Sequence, residues 1–321
     1  MIVLTGAAGF IGSCILARLN SLGHKEIIAV DHLDSDLKKK NLQGKKISQY
    51  FEKKDFLELA KNDKLDFKTE LVIHMGACSS TTLQDAEYFE ENNFEYSRCL
   101  AEWCLKHKAR LIYASSAATY GDGSNGYKDD DASTRLCRPL NLYGQSKQKF
   151  DLWILDHHCT DKFVGLKFFN VFGPNEYHKG DMRSVVAKNF EKVVQESKIA
   201  LFKSYRKEYA DGEQKRDFIY VKDAVGMVMF FIDHPNRNGI YNAGTGKARS
   251  WNDLAHALFA ALGKKPHIDY IEMPEYLKSR YQYFTEADMT KLRQAGYKKP
   301  FSELEDAVKD YVGYLSRGAC I

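Results

Sequence analysis

The start of the chain leaves few folds open. An apolar run, Met1–Thr5, passes straight into Gly6-Ala7-Ala8-Gly9-Phe10-Ile11-Gly12, and a helical pattern, Ile11–Leu22, follows at once. Glycines at this spacing let the backbone turn tightly and bring bare amides close to a pyrophosphate, while the helix behind them offers unpaired N–H groups and the positive end of its dipole. A second apolar run, Ile27–Asp31, ends on an acid suited to accept hydrogen bonds from an adenosine ribose. Strand, glycine turn, helix, strand and terminal acid together predict a unit that binds a dinucleotide.

The same rhythm continues. Leu71–His74, Arg110–Ser115 and Val164–Phe168 are short apolar runs, and Phe94–His107 has helical periodicity. Apolar runs without alternation are strands buried on both faces, so the expected fold is α/β, a doubly wound parallel sheet of the Rossmann type. After Pro174 the pattern changes to a polar helix (Ser184–Glu196), a charged loop (Lys203–Lys215), a strand (Asp217–Val221), the helix Ala224–Asp233, a short strand (Gly239–Asn242) and the turn Gly244-Thr245-Gly246. Residues 250–321 read as helices broken by Gly263, Pro266, Pro274 and Pro300. We expect residues 1–171 and 216–246 to form the dinucleotide-binding domain, and 172–215 with 247–321 a smaller α/β substrate domain, the site lying in the cleft between them.

Charge and cysteines narrow the function. Forty-seven Lys+Arg against 43 Asp+Glu leave a net charge of +4, too little to imply a nucleic-acid or membrane partner. The apolar start lacks a basic leader, its first cation being Arg18, and later runs such as Val225–Ile232 fall far short of the ~20 residues that span a bilayer. Seven cysteines (14, 78, 99, 104, 137, 159, 320) contain no CxxC pair, which argues against a disulfide framework or a metal site and for a reducing, cytoplasmic setting.

Tyr143-Gly144-Gln145-Ser146-Lys147 sets Tyr143 and Lys147 one helical turn apart. An ammonium beside a phenol favours phenolate and is expected to lower the Tyr143 pKa. Ser116 closes a predicted strand, where the ligand crevice of a doubly wound sheet lies, and can hydrogen-bond the substrate oxygen whose proton Tyr143 moves. Asp31 favours NAD, whereas His32, Lys38 and Lys53 can offset a 2′-phosphate, so the residues alone leave NADP and NAD both open.

The glycine turn, Ser115–Gly121 (SSAATYG) and the Tyr143/Lys147 pair resemble the extended short-chain dehydrogenase/reductases, in particular their nucleotide-sugar branch. His74–Thr82 (HMGACSSTT), Asn141–Lys147 (NLYGQSK), Phe168–Lys179 (FFNVFGPNEYHK), Lys215–Val221 (KRDFIYV) and Arg280–Thr285 (RYQYFT) are similar to the ADP-heptose 6-epimerase family within it. The resemblance implies epimerisation by transient oxidation, with Lys179 as a second acid/base beside Tyr143. It also implies a cofactor site of Gly6, Gly9, Phe10, Ile11, Gly12, Asp31, His32, Lys38, Lys53, Met75, Gly76, Ala77, Cys78, Ser79, Asn92, Lys147, Val171 and Lys179, filled by NADP. Asn170, Asp181, Lys188, Phe202, Lys203, Ser204, Tyr205, Arg216 and Tyr281 would meet the ADP-sugar. Members form homo-oligomers, commonly pentamers. Two alternatives stand beside this one. A UDP-hexose 4-epimerase or 4,6-dehydratase shares the fold, although Ala117-Ala118 replace the acidic pair usual after the serine in dehydratases. A non-catalytic dinucleotide sensor would typically have lost the Tyr/Lys pair.

Overall fold

The computed structural model describes residues 1–278 and 281–321. In chain order the strands are β1 (Ile2–Thr5), β2 (Ile27–Asp31), β3 (Gln49–Glu52), β4 (Leu71–His74), β5 (Arg110–Ser116), β6 (Val164–Phe168), β7 (Asn170–Phe172), β8 (Ile199–Phe202), β9 (Lys215–Tyr220), β10 (Gly239–Ala243), β11 (Ala248–Ser250) and β12 (Ile268–Ile271). The helices are α1 (Phe10–Ser21), α2 (Asp36–Leu42), α3 (Lys53–Lys61), α4 (Ala86–Phe89), α5 (Tyr96–His107), α6 (Asp131–Leu136), α7 (Leu142–Asp156), α8 (Val185–Glu196), α9 (Val221–Asp233), α10 (Trp251–Ala261), α11 (Glu275–Lys278), α12 (Thr290–Gln294) and α13 (Leu304–Arg317).

Seven strands form one parallel sheet in the order β10-β6-β5-β4-β1-β2-β3. Every residue of β2, β6 and β10 is buried, because helices cover both faces and leave these strands no side open to water. On one face α1 packs against α9. On the other, Phe56 of α3, Leu100 and Trp103 of α5, and Phe150 and Ile154 of α7 close over Val3, Ile28, Val72 and Leu111. The winding reverses between β1 and β4, so the loops after those two strands diverge and open a crevice at their carboxyl ends.

Outside this sheet, β9 pairs with β7 in parallel and with β11 antiparallel, and β8 pairs with β12. Helices α8, α10 and α13 pack around them. Residues 250–321, read from sequence as helices, therefore also contribute strands. Most of β12 is exposed, which removes the apolar signal that marks a buried strand. Among the described residues no helix is long and apolar enough to cross a membrane, and no group of three or more His, Cys, Asp or Glu is arranged to hold a metal.

Candidate active site

The glycine turn is built by close approach. Gly6 has φ +68°, and a Cβ there would stand 2.6 Å from the Gly76 amide nitrogen. A Cβ on Gly12 would fall 2.0 Å from the Gly6 carbonyl oxygen, so α1 can leave the turn at this angle only with glycine at position 12. Gly9, the N-cap of α1, has no side chain with which to cap the first-turn amides at Phe10 and Ile11. Asp31, buried at the end of β2, accepts from the Ala8 amide at 2.8 Å, the His32 amide at 2.7 Å and Lys38 Nζ at 3.2 Å. It braces the turn from below. His32 Nδ1 meets Glu52 at 3.0 Å, and Lys53 Nζ donates to Asn92 Oδ1 at 2.6 Å.

Met75–Ser79 follow β4 on the opposite side of the crevice. The Gly76 amide donates to Thr5 Oγ1 at 3.2 Å. Asn93 clasps Cys78 by accepting its N–H at 2.8 Å and donating to its carbonyl at 3.0 Å, then donates to Ser146 Oγ at 2.9 Å. The β4 loop is thereby tied to α7.

Asn141 caps α7 by accepting the Gly144 amide at 2.8 Å, and so places Tyr143 and Lys147 in the first two turns. A Cβ on Gly144 would lie 2.8 Å from the Ala118 carbonyl oxygen, which sets how closely α7 rides on the turn after β5. Ser116 ends β5, and its Oγ accepts the Ala118 amide at 3.1 Å. Lys147 Nζ donates to the Ala114 carbonyl at 2.8 Å. Burial lowers the Lys147 pKa to about 8, with Asp151 opposing. Burial also raises the Tyr143 phenol, the Ser116 hydroxyl pulling the other way. This corrects the expectation that Lys147 would lower the tyrosine: its ammonium turns to the Ala114 carbonyl, and desolvation of the phenol prevails.

Lys179 lies on the 3₁₀ turn Tyr177–Met182, its ammonium 5.4 Å from the centroid of the Phe10 ring. Burial lowers its pKa and the Glu176 carboxylate opposes the shift. Thr81 Oγ1 donates to Met182 Sδ at 3.8 Å, joining this turn to the loop after β4. Val171, half-buried on β7, precedes the turn.

Residues 2–244 match the NAD dependent epimerase/dehydratase family. The chain belongs to that family. It is 51% identical over 312 residues, 97% of each chain, to the ADP-L-glycero-D-manno-heptose-6-epimerase of Nitratidesulfovibrio vulgaris (strain DP4). The crystal structure of the Helicobacter pylori ADP-L-glycero-D-manno-heptose-6-epimerase superposes with a TM-score of 0.83 at 29% identity, over 98% of this chain and 96% of that one. That of the Thermus thermophilus UDP-glucose 4-epimerase complex with NAD gives 0.80 at 26% identity, over 99% of each. Membership makes the chain an isomerase-type enzyme that uses a nicotinamide dinucleotide, and the glycine turn, bare α1 start and braced Asp31 fit such a group.

In this epimerase-family chain the residues expected at the sugar end fall into two groups. Arg216, buried on β9, stacks 5.1 Å from the Tyr281 ring and 5.6 Å from the Trp251 ring and donates to the Lys215 carbonyl at 2.8 Å. Burial lowers its pKa, and the groups opposing that are the phenols of Tyr281, Tyr127 and Tyr209. Phe202 meets Tyr281 edge-on at 6.4 Å, the Tyr205 amide donates to Tyr283 Oη at 3.0 Å, and the Ser204 amide donates to Asp211 Oδ1 at 2.7 Å. Asn170, exposed, pairs in register with Phe218 of β9. Lys203 turns outward to Glu272 at 2.6 Å. Asp181 and Lys188 form a second, exposed group beside the Lys179 turn, Lys188 Nζ reaching the Asp181 carbonyl at 3.3 Å. Arg280 of the RYQYFT segment lies outside the described residues.

Sequence reasoning missed the supports. Asp151, one turn beyond Lys147, accepts from Ser115 Oγ at 2.6 Å, Lys167 Nζ at 2.7 Å and Tyr113 Oη at 3.0 Å. An acid four residues past a functional lysine is a usable signal. Asn41, Asn93 and Asn175 carried none.

Proposed function

We propose that the chain converts ADP-D-glycero-β-D-manno-heptose to ADP-L-glycero-β-D-manno-heptose by inversion at C6″, supplying heptose for the lipopolysaccharide inner core. The observation that carries this reading is the nearly full-length likeness to a relative of that name, joined to two separate acid/base candidates, Tyr143 on α7 and Lys179 on the 177–182 turn. The C6″ hydrogen is not acidic, since no carbonyl neighbours it, so simple deprotonation cannot invert the centre. The glycine turn, Asp31 and Met75–Ser79 would hold a nicotinamide dinucleotide, which would supply reversible hydride transfer at C6″, so that the centre could be inverted through a planar ketone.

This chain's residues handle protons and position. Tyr143 and Lys179 serve the two orientations of the sugar, one taking the hydroxyl proton and the other returning it. Ser116 donates to the ketone oxygen, and Lys147 holds the nicotinamide ribose. Arg216, between two aromatic faces, offers bidentate donors to the pyrophosphate, and Tyr281 packs beside it. Binding energy from the ADP end then orients a small reacting end. We assign the remaining expected cofactor and sugar contacts to the same two ends, and residues 1–171 with 216–246 and 172–215 with 247–321 to the two domains. NADP is the preferred form: Lys38 offsets the charge of Asp31, whose carboxylate already serves the Ala8 amide, and Lys53, whose pKa is lowered by burial and then by Lys38, adds a second cation at this end of the site. The working form is a homo-oligomer, a pentamer, in the cytoplasm.

Incubating the purified protein with ADP-D-glycero-D-manno-heptose and separately with UDP-glucose, without added cofactor, tests the reading. Conversion of the first alone supports it, and conversion of the second alone replaces it with hexose 4-epimerisation. Turnover near wild type in both Tyr143→Phe and Lys179→Met would end the two-base scheme. Mass spectrometry of dinucleotide released by denaturation decides NADP against NAD.

A further inference from the structure

Two buried asparagines meet where the Lys179 turn crosses the glycine loop. Asn41, 1% exposed at the end of α2, donates through Nδ2 to the Ala8 carbonyl at 2.9 Å and the Asn175 carbonyl at 3.0 Å. One amide group thus bridges the cofactor turn and the segment leading into Lys179. Asn175, fully buried, holds a left-handed backbone (φ +76°) that asparagine tolerates better than most residues. Its Nδ2 donates to Ser13 Oγ at 2.9 Å, and Ser13 donates to the Phe10 carbonyl at 3.2 Å. Phe10 is the ring over which the Lys179 ammonium rests.

The remaining polar atoms of both asparagines face one segment. Asn175 Oδ1 accepts the Ile321 amide at 2.8 Å, and Asn41 Oδ1 accepts Cys320 Sγ at 3.4 Å. Tyr177, the first residue of the Lys179 turn, donates to the Ala319 carbonyl at 2.7 Å. On its other flank the turn is fixed by Glu176, whose carboxylate accepts the Ser184 amide at 2.5 Å and the Ser184 hydroxyl at 2.6 Å at the start of α8.

We propose that Asn41 and Asn175 are positioning residues that set Lys179 against the cofactor loop, with residues 319–321 as the latch completing their hydrogen bonds. This rests on the assignment of Lys179 as an acid/base. Neither asparagine is placed at the reacting atoms; both act through the segment leading into the Lys179 turn, and Asn41 Nδ2 also lies 3.4 Å from His178 Nδ1 within that turn. An amide bridging two loops fixes their separation, and misplacing a catalytic group by about 1 Å can cost 10²-fold in rate.

The test compares wild type with Asn175→Gly, Asn175→Asp and Asn41→Ala, all in the full chain. Glycine accepts the left-handed backbone, so Asn175→Gly removes the side-chain bonds without adding strain. In Asn175→Gly and Asn41→Ala we expect kcat to fall at least about tenfold with KM for the ADP-sugar within about twofold, and amides 176–182 to exchange hydrogen at least about tenfold faster while β1–β6 keep their protection. Asn175→Asp keeps an acceptor for Ile321 but loses the Nδ2 donor to Ser13 and buries a carboxylate, so its kcat should stay at least about tenfold below wild type. Unchanged kcat and unchanged exchange at 176–182 in Asn175→Gly would overturn the proposal. If wild type does not epimerise the sugar, the functional reading fails instead, and the exchange comparison still decides whether the asparagines hold the turn. Loss of folding in Asn41→Ala leaves the decision to Asn175→Gly, and uniform loss of protection across β1–β6 in that variant would overturn the positioning role.

Discussion

Lys167 of β6 and Asp151 of α7 form an ion pair at 2.7 Å with both side chains 0% exposed. Lys167 also donates to Thr119 Oγ1 at 2.8 Å and lies 5.1 Å from the Tyr120 ring centroid, while Ser115 and Tyr113 complete the Asp151 carboxylate. In Lys167→Met a carboxylate stays in the interior with two hydroxyl donors but no cation. In Asp151→Leu an ammonium stays there with one hydroxyl and an aromatic face. Breaking a buried pair from one side typically costs 3–5 kcal/mol, roughly 4 for each of these variants. Removing both charges leaves the Ser115 and Tyr113 hydroxyls short of partners, while Thr119 Oγ1 keeps its bond to the Ser116 carbonyl at 2.8 Å, so Asp151→Leu/Lys167→Met should lose about 5 kcal/mol rather than 8, a coupling of about 3 kcal/mol. Urea unfolding of the four proteins, followed by far-UV circular dichroism, reads these values. Because Asp151 lies one turn beyond Lys147, turnover should fall in both single variants at temperatures where they remain folded. Additive losses, or single losses under about 1 kcal/mol as exposed pairs give, would refute the claim that this pair anchors α7.

Gly12→Ala places a Cβ 2.0 Å from the Gly6 carbonyl oxygen, and the retained dinucleotide should drop below detection in the released-cofactor assay while the chain remains folded. Arg216→Lys should raise KM for the ADP-sugar at least about tenfold with a smaller effect on kcat, because an ammonium cannot stack between Tyr281 and Trp251 and donate in bidentate fashion. Burial holds the His74 pKa near 3, below its ordinary 6.5, with hydrogen bonds to Thr5 at 2.6 Å and Ser97 at 2.9 Å. The unfolded chain therefore binds a proton below pH 6.5 that the folded chain refuses until about pH 3, so this group's share of stability is present above 6.5 and is lost on acidification. Moving from about pH 7 to pH 5 should cost about 2 kcal/mol through His74, and His74→Gln should flatten the profile by that amount in urea titrations; an unchanged profile would refute it.

The fold was legible wherever burial on both faces left its mark. β1, β2 and β4 could be read as apolar runs because helices cover the sheet, β6 likewise despite the buried Lys167 within it, and Gly12 because only glycine clears the Gly6 carbonyl. The strands β3 and β12 escaped notice, being short and half-exposed or exposed, and without alternation strong enough to mark a face. Within the site, Tyr143 and Lys147 were visible through helical spacing. The direction of the tyrosine shift was not, since it depends on where the Lys147 ammonium turns and how deeply the phenol lies. The supports were hidden for a different reason. Asp151 could be suspected from its place four residues past Lys147, but its meeting with Lys167, and that of Asn41 with Asn175, come only after the chain has wound through β6 and past β7.

On the proposed route, hydrogen leaves C6″ and returns to it without passing through solvent. ADP-D-glycero-β-D-manno-heptose carrying deuterium at C6″, converted in ordinary water and analysed by mass spectrometry and NMR, measures this directly. Transient oxidation at C6″ gives an L-glycero product that keeps its deuterium there. A product carrying solvent hydrogen at that carbon would contradict it.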